Sequence, residues 1–369
     1  MKFVCDKNLL LSAVTTASRA ASVRSPIPAL EGLLIEANTK VKITGYNLKE
    51  GIFTDFEAEV QKPGSVVINA RLFSEIIRSL PEETVTLSSD ENSLATVTCG
   101  NSNFRISGTD AADYPEIPPV NPEKTISLKQ STLKNMINQT IFAVSENESR
   151  PIYTGSLFEV SEGQLTIVSV DGYRLAMRKE QLDDAAEEGI FIVPGNALSD
   201  AEKICQNNDD PIKIAVSDKN ISFIAGNTVL ISRRLEGEFL NYKKSIPATF
   251  GISLVVNADN FTRVIERVSL IIDDKVKNPL KFLFGKNEIF INCETARGRA
   301  EDICAAEGNG NDLEIGFNNR YLLDALKAAP SEKIILKLNT GSSPCVLTPE
   351  NENDSFLYMI LPVRLKAGD

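Results

Sequence analysis

Apolar side chains fall at Leu9, Leu10, Ala13, Val14 and Ala17, a spacing of three and four that lays one buried stripe along a helix. The same stripe returns at Leu133, Met136, Ile137, Ile141 and Val144, and again at Phe261, Val264, Ile265, Val268 and Ile272. A second helical stripe follows each of these: Leu72, Phe73, Ile76, Ile77 and Leu80, then Ala197, Leu198, Ala201 and Cys205, then Tyr321, Leu322, Ala325, Leu326 and Ala329. Corresponding positions lie 124 to 128 residues apart, close to one third of the 369-residue chain. Between the stripes, runs such as Leu33–Ala37 with Lys40–Thr44, and Lys281–Phe284 with Glu288–Ile291, alternate or stay apolar and are bounded by Asn, Gly and Asp. That pattern predicts antiparallel hairpins. Each third therefore reads strand, helix, strands, helix, strands: an α+β unit burying two helices on antiparallel sheet.

A period of this length exceeds any solenoid repeat, so each third is expected to be a whole domain. The proline-rich stretch Tyr114–Pro122 marks a stiff connector, and Asn241–Gly251 a softer one. The expected domains are 1–121, 122–247 and 248–369.

Composition narrows the chemistry. The chain has no histidine, which removes Ser-His-Asp and Cys-His dyads, histidine zinc sites and imidazole acid–base catalysis. Its six cysteines include no Cys-x-x-Cys pair and read as small buried hydrophobes in a reducing compartment. Neither a phosphate-binding Gly-rich loop nor a dinucleotide fingerprint occurs. The adjacent acids Asp183-Asp184, Asp209-Asp210 and Asp273-Asp274 sit in polar loops and read as solvated, while Asp171-Gly172 reads as a turn in which glycine supplies a positive φ. Catalysis by carboxylates would have to draw on Asp171 with Asp273 or Asp274. No cofactor or metal is expected. With no signal-like leader and no apolar run of about 20 residues, the reading expects a soluble cytoplasmic protein with no membrane partner.

The net charge is −11, which taken whole argues against a nucleic-acid partner. The distribution says otherwise. The six helical stretches carry twelve Lys or Arg against five Asp or Glu, a net +7 that leaves −18 for the remainder. An acidic chain with basic helices fits either solvated helix faces or a surface built for phosphate.

The stretch Ile167–Ala176 (IVSVDGYRLA), the segment Tyr358–Leu365 (YMILPVRL) and the start of the chain closely resemble the bacterial DNA polymerase III β sliding clamps, in order and over essentially the whole length. The resemblance implies three similar clamp domains forming half of a closed ring, with two chains joined head to tail around duplex DNA that passes through without being read. It implies no active site: the protein would tether the replicative polymerase for processive synthesis. Arg24 and Arg71 match positions where the family contacts DNA, and Asn147 falls in the DNA-contacting loop of the second domain. A pocket between the second and third domains would receive short apolar peptides from polymerase, clamp loader and repair proteins. Its matching positions are Tyr153, Gly172, Tyr173, Arg174, Leu175, Lys244, Val276, Asn318, Tyr321, Pro344, Met359, Leu361, Pro362, Val363 and Arg364. The chain departs from the common pattern at Tyr173, where histidine is frequent, and at Arg150–Tyr153, where paired aromatics are usual. The competing reading is an acidic scaffold that binds proteins and leaves DNA alone.

Overall fold

A computed structural model describes the chain except for residues 82–83, 184–185, 274–277, 352–354 and 366–369. Three similar α+β domains follow one another, each repeating one order of elements. The first runs β1 (Lys2–Asp6), α1 (Lys7–Ser18), β2 (Gly32–Ala37), β3 (Val41–Tyr46), β4 (Glu50–Phe56), β5 (Glu59–Lys62), β6 (Gly64–Asn69), α2 (Ala70–Ser79), β7 (Thr84–Ser89), β8 (Leu94–Cys99) and β9 (Ser102–Ser107). The second runs β10 (Lys124–Lys129), α3 (Gln130–Asn138), β11 (Gly155–Ser161), β12 (Gln164–Val170), β13 (Arg174–Gln181), β14 (Gly189–Pro194), α4 (Gly195–Ile204), β15 (Pro211–Val216), β16 (Asn220–Ala225) and β17 (Thr228–Arg233). After a short helix α5 (Tyr242–Ser245) the third runs β18 (Ile252–Asn257), α6 (Ala258–Ser269), β19 (Leu280–Phe284), β20 (Glu288–Thr295), β21 (Gly298–Ala305), β22 (Glu307–Gly308), β23 (Leu313–Phe317), α7 (Asn319–Ala328), β24 (Lys333–Leu338), β25 (Cys345–Pro349) and β26 (Phe356–Ile360).

Four of the strand-to-helix corners, those of the first and third domains, share one device, a short polar side chain that caps the helix where the strand ends. Asp6 Oδ1 accepts from the backbone N–H of Asn8 and Leu9, Asn69 Oδ1 from Leu72, Asn257 Oδ1 from Asn260 and Asn318 Oδ1 from Arg320. Each bond satisfies donors that a helix start leaves without intrahelical partners. The expected helix through Val144 stops earlier, at Asn138. Thr140 is buried, and its hydroxyl donates to the carbonyls of Met136 and Ile137 where the helix gives way to a 3₁₀ turn, Ile141–Ala143. The stripe ending at Ile272 likewise belongs to a helix that closes at Ser269.

Two compact units divide the chain, one of residues 1–134 and 199–234, the other of 135–198 and 235–369. The first holds the sheet β5-β1-β7-β8-β9 and an eight-stranded sheet, β10-β15-β16-β17-β4-β3-β2-β6, in which β17 of the second domain pairs antiparallel with β4 of the first. Phe3, Leu10, Val14, Phe73 and Ile77 bury α1 and α2 into its core. The second unit holds the nine-stranded sheet β14-β11-β12-β13-β26-β25-β24-β18-β22, where β13 of the second domain pairs with β26 of the third, and the sheet β21-β20-β19-β23. Its core centres on Phe282, whose ring contacts Phe261, Phe284 and Phe317. All six cysteines are buried thiols, and burial pushes those of Cys5, Cys205 and Cys345 up to about 12, so they serve as packing groups. No described helix is long and apolar enough to cross a membrane.

Candidate peptide groove and nucleic-acid surface

In the second unit the turn between β12 and β13 is held by Asp171, whose Oδ1 accepts from the backbone N–H of Tyr173 (2.8 Å) and Arg174 (3.0 Å). Gly172 lies at φ +93°, a conformation that costs a side chain energy, so the expected turn glycine is there for its backbone. The turn presents Tyr173 outward with 61% of its surface exposed. Its carbonyl accepts from Leu361 N–H (2.9 Å), and Val363 N–H donates to Gly316 (2.8 Å), so the segment after β26 is pinned at two points. That leaves the side chains of Leu361 and Val363 exposed beside Tyr173.

Beneath them Leu175 and Met359 are buried in one apolar cluster with Val170, Met177, Tyr242 and Val346. Tyr153 packs edge-on against Phe239 of the connector, with centroids 5.5 Å apart. The connector itself is fastened by α5: the Tyr242 hydroxyl donates to Glu159 Oε2, and Lys243 Nζ lies 2.7 Å from Glu159 Oε1. Burial works against the Glu159 charge, but these two donors outweigh it and hold the carboxyl below its usual range. Lys244 on the same helix is exposed, and Pro344 is half-buried just before β25.

Arg174 is the best-anchored polar group of the region. Its Nε bonds Asp171 Oδ2 (2.9 Å), its Nη1 bonds Asp324 Oδ2 of α7 (2.5 Å), and its guanidinium lies 4.6 Å from the Tyr321 ring centroid and 5.3 Å from that of Phe142. Tyr321 in turn stacks with Tyr173, centroids 5.9 Å apart. These contacts bring together Gly172, Tyr173, Arg174, Tyr321 and Leu361 over the buried Leu175 and Met359, with Tyr153 reaching the same apolar cluster through Phe239; they do not tie Lys244, Pro344, Pro362 or Arg364 to the group. Asn318 stands apart in role as the cap of α7, and Val276 lies outside the described residues. Phe142, Phe239 and Asp324 belong here without having been singled out in the sequence; Asp324 carried one signal, being the sixth residue of its helix as Asp200 and Glu75 are of theirs. The carboxylate-catalysis reading loses its residues to structure: Asp171 braces the turn and Arg174, Asp273 is paired with Arg297 at 2.6 Å, and Asp274 lies outside the described residues. No cluster of described residues could hold a metal ion.

The basic helices need one correction. Lys7 is buried and the half-buried Lys134 lies 3.5 Å from the buried Glu202, so these two cations and that acid leave the outward count. Ten exposed basic side chains remain on the helical stretches, Arg19 among them with Asp200 at 3.5 Å, against Glu75, Glu266 and the partly exposed Asp200 and Asp324. Arg24 is exposed in the turn after α1, Arg71 is exposed in the first turn of α2 and paired with Glu75 (3.1 Å), and Asn147 is exposed in the loop that follows the Ile141–Ala143 turn.

Three repeated α+β domains joined edge to edge through their sheets, with basic helices and an apolar groove beside the second join, define a clamp-type architecture. Family models described as the DNA polymerase III beta subunit match in order: the N-terminal domain over residues 1–118, the central domain over 127–241 and the C-terminal domain over 243–364. The β sliding clamps of Staphylococcus epidermidis and Staphylococcus aureus are 33% identical to the chain over 99% of both lengths. The solved sliding clamp from Bacillus subtilis aligns with a TM-score of 0.94 at 30% identity, covering 99% of this chain and 100% of that one. A putative DNA polymerase III β subunit from Eubacterium rectale aligns at 0.93 and 29%, covering 98% and 99%. The chain belongs to the DNA polymerase III β subunit family, the bacterial β sliding clamps. Nothing in these comparisons supports the acidic-scaffold alternative.

Proposed function

We propose that the chain is a DNA sliding clamp of replication: two copies close head to tail into a ring around duplex DNA, with domains 1–121, 122–247 and 248–369, and act as the polymerase's processivity subunit with no active site of their own. The observation that carries the ring is the way the domains join. At the first join β4 pairs with β17, at the second β13 pairs with β26. β4, β13 and β21 hold the same place in each repeat, as do β9, β17 and β26. The pair left over is β21 with β9, and both are outer strands of their sheets. A long open edge invites pairing with another chain, and a head-to-tail contact of this kind closes when the rotation returns on itself. Carrying over the registers of the two internal joins sets Ala300 opposite Phe104 or Ile106.

The basic helices then supply a lining that attracts phosphates without reading bases, which permits sliding. The groove around Tyr173 and Leu361 takes short apolar peptides of the replicative polymerase, the clamp loader and repair proteins, its apolar floor and few polar anchors suiting such a segment. The test is topological: the loaded protein stays on nicked circular DNA and is released when that DNA is linearised, and rapid loss from both overturns the ring. Replacing Arg24 and Arg71 by alanine is expected to weaken duplex binding and lower the salt slope by about 1 to 2, measured as binding against salt concentration.

A further inference from the structure

The two internal joins are built alike up to one point. At the first, Asn47 Oδ1 accepts from the N–H of Lys49 (3.0 Å) and Glu50 (2.8 Å) with Leu48 at φ +71°, the same turn that Asp171 makes around Gly172. Glu50 therefore occupies the place of Arg174, and Lys49 that of Tyr173. In the helices, Asp200 occupies the place of Asp324, and Ala197 that of Tyr321. The first join thus has no arginine at the place of Arg174 and no rings at the places of Tyr173 and Tyr321, and its groove is filled by its own connector: a side chain at Gly51, the counterpart of Leu175, would meet Ile117 at 2.7 Å. What the second join has in addition is a connected series, Asp324 to Arg174, Arg174 over Tyr321, and Tyr321 stacked on an outward Tyr173.

We propose that Asp324 is a positioning residue for the peptide groove: by holding the Arg174 guanidinium over Tyr321 it fixes the Tyr173–Tyr321 pair as a flat aromatic step, and that step selects peptides carrying an aromatic side chain over otherwise identical aliphatic ones. The inference rests on the groove reading above. The physical basis is that Arg174 is shared between two carboxylates and two rings, so a single rotamer satisfies all of them. Removing the Asp324 charge frees one end of the guanidinium, and the exposed Tyr173 ring loses the fixed partner beneath it. A ring held flat offers a stacking face to another ring, an advantage that an aliphatic side chain does not share.

The experiment measures binding of the full-length protein to two fluorescent peptides that differ only in one Phe replaced by Leu. Wild type is expected to prefer the aromatic peptide about fivefold, and Asp324→Asn to reduce that preference to less than about twofold. Asp324→Glu is expected to keep it. Tyr173→Ala is expected to abolish the preference, and the Asp324→Asn, Tyr173→Ala double variant to lose nothing more, since residues acting through one contact are not additive. Asp324 is 44% exposed at its side chain, so the melting temperature should hold in all variants. An unchanged preference in Asp324→Asn, or additive losses in the double variant, overturns the role of Asp324. Leu361→Arg separates this from the groove itself: if both peptides bind that variant as they bind wild type, the groove reading fails and the inference with it.

Discussion

Leu270→Asp is expected to turn the dimer into monomers, with the dissociation constant raised by about a hundredfold or more. Leu270 is 80% exposed at the end of α6, an expensive place for a leucine on a single chain. Its counterpart after α3 is Phe142, and Phe142 is not exposed in this way: its ring packs edge-on against Tyr358 of β26, centroids 5.2 Å apart, where the second and third domains join. Tyr358 corresponds in turn to Phe104 on β9, with Ile106 next along the same face. The repeat thus assigns Leu270 a partner surface that one chain does not supply to it, and Ile303, exposed on β21, lies along the same edge. A carboxylate placed there would be buried without a counter-ion when the ring closes, while in the monomer it would be solvated at little cost. Sedimentation equilibrium reads the outcome directly. Val23→Asp is the control, because Val23 is 94% exposed and has no place at the proposed join. Dimers that persist in Leu270→Asp and weaken in Val23→Asp would refute the assignment of the interface.

The sequence carried the fold further than the site. Helix stripes such as Phe261, Val264, Ile265 and Val268 are legible because burial on one face imposes a period, and the repetition of that period gave the domain count. The end of α3 was not legible, since Ile141 and Val144 continue the apolar spacing past the point where Thr140 bonds back to the preceding turn. The charge pattern was readable as a total and misleading in detail: Lys7 and Lys134 sit on helical stretches yet are buried or half-buried, because a long side chain can bury its stem, and Lys134 finds a carboxylate, Glu202, that periodicity does not reveal. The groove depended on resemblance for its membership. Only three-dimensional placement brings Asp324 within reach of Arg174 across 150 positions of sequence.

Glu50→Gln is expected to flatten the pH dependence of stability and to make the protein more stable above neutrality. Glu50 opens β4 opposite Ser232, is 7% exposed, and its Oε1 has no hydrogen-bond partner. Burial, with the Asp200 charge adding to it, pushes its carboxyl up to about 8; burial also raises Asp200, although Arg19 at 3.5 Å works the other way. Tyr46 on β3 and Arg233 on β17 are the further titratable or charged groups at this join. Between the ordinary glutamate value of about 4.3 and about 8, the folded chain holds a proton at Glu50 that the unfolded chain does not. Stability therefore falls as pH rises through that window and levels off above it. A glutamine matches the protonated acid in shape and never ionises, so the loss disappears, a gain on the order of 2 kcal/mol or more at pH 8 and near zero at pH 4. Urea titrations of both proteins at several pH values measure it, and every other group cancels in the difference. Parallel curves for the two proteins would mean that Glu50 is already ionised at neutral pH. In that case the first join would have to hold the Glu50 and Asp200 carboxylates together beside Arg19, an arrangement the second join avoids by placing Arg174 where Glu50 stands.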